Sequence, residues 1–81
     1  MLPTRFKVTH DGHACGFAFM TARRVTFHAD PKAYAWLEAR HDVWLRDFAS
    51  VVKRLCRSVG HAGKFSISQD IDSGIVVERI S

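Results

Sequence analysis

From Arg5 to Ala29 the chain reads RFKVTHDGHACGFAFMTARRVTFHA, with apolar residues, many of them β-branched or aromatic, alternating with small or polar ones. A two-residue period of this kind predicts strands half-buried on one side. Asp11-Gly12 and the Thr-Ala-Arg cluster at 21–23 interrupt it, which divides the run into three antiparallel strands. Asp30-Pro31 then supplies a helix N-cap and a first helical residue, and the pattern takes on a helical period that lasts to Gly60. The predicted helix covers about 31 to 59. Beyond the HAGK loop, residues 64–69 and 75–80 read as a second hairpin joined through QDIDSG, whose Asp72-Ser73-Gly74 forms turns readily. The expected fold is a single α+β domain over residues 1–81, with element order βββαββ and one long or kinked helix on one face of an antiparallel sheet.

An Asp-Gly pair between two alternating runs favours a two-residue type I′ turn, which sets the pairing of its strands. His10 then faces His13, Val8 lies beside Cys15 and Phe6 beside Phe17. In that register Phe6, Val8, Cys15, Phe17 and Phe19 share the core face, with Val25 and Phe27 added from the third strand. The outer face would carry Arg5, Lys7 and Thr9 opposite Ala18, Gly16 and Ala14, with Arg24, Thr26 and His28 alongside. It is expected to be a flat plate of small residues with a basic edge, and to lack aromatic rings.

Projected at 100° per residue, Tyr34, Leu37, Trp44, Leu45, Phe48, Val51, Val52, Leu55 and Val59 gather in one arc, roughly 140° wide, that covers the sheet. His41 falls inside the arc and Cys56 at its edge. Arg46, Lys53 and Arg57 share the opposite side with Lys32 as a basic ridge. Trp36 and Val43 fit neither side: they lie off the core arc beside Arg40 and Arg54, and an outward Trp among arginines has the makeup of an interface hot spot. A break near Arg40-His41-Asp42, with Asp42 as a cap, is the alternative that would bury Trp36. It is favoured because an unbroken helix would extend about 43 Å, about twice the length of a six-residue strand.

Composition narrows the classes of function. A chain of 81 residues, 47% hydrophobic and 25% charged, is globular and has room for one core. The N-terminal residues lack the apolar middle of a signal peptide, and no run is long enough to span a bilayer, so a cytoplasmic protein without membrane contact is expected. Two cysteines, Cys15 and Cys56, do not make a disulfide framework and are expected as buried thiols. Twelve Lys and Arg against eight Asp and Glu give a net charge of +4, which favours anionic partners.

His10, His13 and Cys15 are the nearest thing to a metal site, with His61 within conceivable reach. Zinc would accept such ligands, yet Cys15 fits the core and no fourth ligand has a matching spacing, so no metal or cofactor is expected. No nucleophile elbow, phosphate loop, HExxH, CxxC or paired-carboxylate arrangement is present, which argues against an enzyme. The expectation is a binding protein. Its size and lack of catalytic equipment suit a protein-binding accessory or inhibitor of the kind encoded by phages and mobile elements, anti-CRISPR proteins among them. Such a protein would dock on a larger protein or protein–nucleic acid complex through Trp36, Val43, Arg40 and Arg54, and homodimerisation is compatible with it. The alternative is a basic protein, or small transcriptional regulator, touching DNA or RNA phosphates through Arg5, Lys7, Arg24, His28, Arg46, Lys53 and Arg57. An outer face without aromatic rings counts against base reading.

Overall fold

A computed structural model of the chain describes residues 2–22, 24–32, 35, 38–39, 45–61, 63–70 and 74–81, apart from the side chains of Leu45 and His61. Strands β1 (Thr4–His10), β2 (His13–Met20) and β3 (Val25–Ala29) precede helix α1 (Leu45–His61), and β4 (Ile67–Asp70) and β5 (Ile75–Arg79) follow it. The five strands form one antiparallel sheet in the order β3-β2-β1-β5-β4, and α1 packs across one face. This is the expected βββαββ arrangement. Residues 31, 32, 35, 38 and 39 are helical, as Asp30-Pro31 suggests, and the Asp30 carboxylate accepts the Lys32 amide at 3.0 Å. The expected break near Arg40–Asp42 and the positions of Trp36, Arg40, His41 and Val43 lie outside the described residues.

The β1–β2 turn is as its sequence implies. Asp11 and Gly12 both have positive φ, 48° and 85°, and His10 pairs with His13. The register expected beyond the turn does not hold. Thr9 pairs with Ala14, but Val8 pairs with Gly16, so β2 carries an extra residue, Cys15, between two consecutive partners on β1. This is a β-bulge. With a side-chain period of two, one inserted residue sends everything after it to the opposite face. Phe6 therefore stands beside Ala18, not Phe17, and Lys7 beside Phe17. Cys15, Ala18 and Met20 face α1, while Phe17, expected in the core, is 49% exposed on the outer face.

Gly16 makes the bulge possible. Its φ of 146° is one that L side chains rarely adopt, and a Cβ built there would collide with the backbone carbonyl of His28 on β3. The Cys15 carbonyl instead accepts the Asp30 amide at 2.8 Å, which ties the bulge to the end of β3. On β3, Val25 pairs with Met20 and Phe27 with Ala18, so both face the core as expected.

The core joins the inner faces of four strands, β1, β2, β3 and β5, to the helix stripe. Phe6, Val8, Cys15, Ala18, Val25, Ile75 and Val77 meet Phe48, Val52, Leu55, Cys56 and Val59, all buried. Phe27 and Phe48 pack with ring centroids 5.5 Å apart, and Val51 is half-buried at the margin. Cys56, expected at the edge of the stripe, lies fully inside it. Burial raises both thiols above their ordinary range, Cys56 to about 12, so they are neutral packing groups at physiological pH. Arg54 on α1 reaches the Asp70 carboxylate on β4 at 2.8 Å and pins the helix to the far side of the sheet.

The bulged register is expected to show in a pair of substitutions. Phe6→Ala should destabilise by about 3–5 kcal/mol, as truncation of a buried Phe does. Phe17→Ala should cost less than about 1 kcal/mol. Equal losses in urea unfolding would restore the unbulged register.

The thiols predict an alkaline dependence. A Cys56 thiol at 9.0 when unfolded and about 12 when folded adds stability that is complete below pH 9 and is lost as the pH rises towards 12, because the unfolded chain sheds that proton first. Melting curves of the protein and of Cys56→Ala should therefore converge as the pH is raised across that window. A constant gap would contradict the buried-thiol account.

Candidate binding face

The outer face of the sheet has two halves of different chemistry, one on each side of β1. On the β3 side, Phe17 and Phe19 project from β2, flanked by their register partners Lys7 and Arg5 on β1 and His28 and Thr26 on β3. Phe17 is half-exposed, Phe19 is partly covered, and Arg5, Lys7, Thr26 and His28 are exposed. The Phe19 and His28 rings meet edge to face, with centroids 5.4 Å apart, which steadies both rings. Arg5 Nε donates to the Ser81 hydroxyl at 2.9 Å. On the other side β5 contributes Val76 and Glu78, and β4 contributes Ile67, 62% exposed; Ile80 follows β5 and Phe65 precedes β4, both exposed.

The flat plate of small residues expected at this face is thus replaced by an aromatic and cationic surface. Arg5, Lys7 and His28 stand where the sequence placed them, on the outer side. What sequence reasoning missed is Phe17 and Phe19 between them. The signal was a Gly inside a strand run, at position 16, followed by Phe-Ala-Phe-Met, where both parities are apolar and either could face the core.

Other expected site residues are dispersed. Arg24 is exposed near the start of β3 and, with Lys53, borders a shallow hollow between α1 and β3. Arg46 and Arg57 are exposed on α1, and Arg46 lies 3.8 Å from Asp47. Arg54, assigned to the Trp36 patch from the sequence, is occupied by Asp70. His10 is buried on the inner face with its ring 6.5 Å from that of Phe48 and Nδ1 3.4 Å from the Asp11 carboxylate. His13 is exposed, and the Cys15 thiol donates to the His13 carbonyl at 3.4 Å. Among the described residues no group of three or more His, Cys, Asp or Glu side chains is gathered as a metal site. None of the described helices is long and apolar enough to cross a membrane.

No protein-family model, curated protein or solved structure matches this chain, so the reading of its outer face rests on chemistry alone.

Proposed function

We propose that the protein is a non-catalytic binding module whose outer sheet face takes single-stranded nucleic acid. The observation that carries this reading is the pair Phe17 and Phe19, side by side on β2 with Lys7 and Arg5 as their cross-strand partners. Sheets that hold single strands stack bases on projecting aromatic rings and meet the phosphates with neighbouring cations. Rings spaced two residues apart on one strand lie roughly 7 Å apart, a separation that an extended single strand can match with successive bases. The net charge of +4 draws a polyanion towards the surface.

A protein-binding accessory or inhibitor is the second reading, favoured by the aliphatic half of the same face. Ile67 at the start of β4 is 62% exposed, Ile80 just past the end of β5 is 42% exposed, and Phe65, two residues before Ile67, is 66% exposed. Exposed apolar groups gathered in one area suit a protein surface better than a phosphate chain.

Binding of a labelled short oligonucleotide, followed by fluorescence anisotropy, separates the two. Phe17→Ala is expected to weaken single-strand binding by about 1–3 kcal/mol, roughly fivefold to 150-fold. Lys7→Ala should flatten the plot of log affinity against log salt by about one unit. Absence of binding at low salt, combined with capture of a partner that survives nuclease and is lost in Ile67→Asp, would transfer the assignment to the second reading.

A further inference from the structure

The acidic residue beside this cationic surface is the feature that phosphate binding does not explain. Lys7, Ala14, Gly16, Phe17, His28 and Asp30 line one shallow hollow of about 280 Å³ on the outer face, directly over the bulge. Gly16 contributes backbone alone to its lining, and the close approach of the His28 carbonyl leaves no space for a side chain there. A hollow of this size lies just under the range that holds a drug-sized molecule, so it has room for one ring system.

Asp30 is held firmly at the rim. Its amide donates to the Cys15 carbonyl at 2.8 Å, and one carboxylate oxygen accepts the Lys32 amide at 3.0 Å. A carboxylate so fixed repels phosphate but accepts N–H donors from a base edge. Guanine is the base that offers two adjacent donors, N1–H and N2–H, together with an O6 acceptor for an ammonium group such as that of Lys7.

We propose that the hollow over the Gly16 bulge is a guanine subsite, with the base stacked on Phe17, its donor edge towards Asp30 and O6 towards Lys7. This rests on the reading of the outer face as a single-strand platform. It adds base preference to what would otherwise be binding without regard to sequence.

The test uses the full chain and short oligothymidylates carrying a single central guanine, adenine or cytosine, with the matching ribo-oligomers in uridylate. The guanine oligomer should bind about fivefold or more tightly than the others, the lower end expected of a paired hydrogen-bond contact. Asp30→Asn keeps a side chain able to cap the helix but replaces one acceptor oxygen with a donor. It should abolish the guanine preference and leave the melting curve unchanged, while affinity for the plain oligothymidylate rises modestly because a carboxylate that repels phosphate is gone. Equal affinity for all central bases, or a uniform loss in Asp30→Asn, overturns the subsite and leaves the platform standing. Failure of every oligomer to bind at low salt overturns the platform, and the subsite with it. A preference that appears only in the ribo series supports the subsite and assigns it to RNA.

Discussion

Cys15 sits in β2 with no register partner on β1, and its carbonyl accepts the Asp30 amide from the end of β3. The two faces of the sheet take their character from that insertion. Before it, Thr9 and Ala14 are paired as a regular hairpin would have them; after it, each side chain of β2 appears on the side opposite to the one a simple count assigns. The core keeps Cys15 and receives Ala18 and Met20 where Phe17 and Phe19 would have gone. Small Ala18 lies in the middle of the sheet, across from Phe6 and Phe27, so bulk from β1 and β3 fills space that β2 leaves. Two phenylalanines from one strand on the same side would have overfilled that layer, and overpacking is itself destabilising.

The cost appears on the other side of the sheet. Burying a Phe contributes about 1.5–3 kcal/mol, and Phe17 forgoes a large part of it by standing half in water. The exposed ring is held out by a backbone conformation at Gly16 that only Gly adopts readily. Around Phe17 stand a cation on one side, an imidazole on the other and a fixed carboxylate at the rim, the set on which the proposed binding face rests.

Much of the architecture was legible in the sequence. The Asp-Gly turn, the change from period two to period 3.6 after Asp30-Pro31, and the stripe of Phe48, Val52, Leu55 and Val59 each reflect a local rule that tertiary packing did not override. Val25 and Phe27 were placed correctly because their strand has only one apolar parity. In β2 both parities are apolar, and hydrophobic alternation cannot choose between them. The choice falls to Gly16, whose missing side chain lets β3 come close enough to force the extra residue. That is a contact between strands, and no count along one strand reveals it. The Arg54–Asp70 pair was hidden for the same reason: it joins α1 to β4 across a loop, and charge along the helix alone suggested a free surface arginine.

The position of β1 between β2 and β5 also has a bearing on how the chain reaches its native state. The β1–β2–β3 meander is built from neighbours in sequence and can form early, whereas Phe6 pairs with Arg79 and His10 with Ile75, contacts that span most of the chain. Such pairings carry a large loop-closure entropy and raise the contact order, so the sheet is completed late. Until β5 arrives, the central strand is an open edge with unpaired amides and carbonyls, next to side chains as apolar as Phe6 and Val8. The interval between meander and finished sheet is therefore when this protein is most exposed to wrong partners, and a chain released before Ile75–Arg79 would hold that edge open indefinitely.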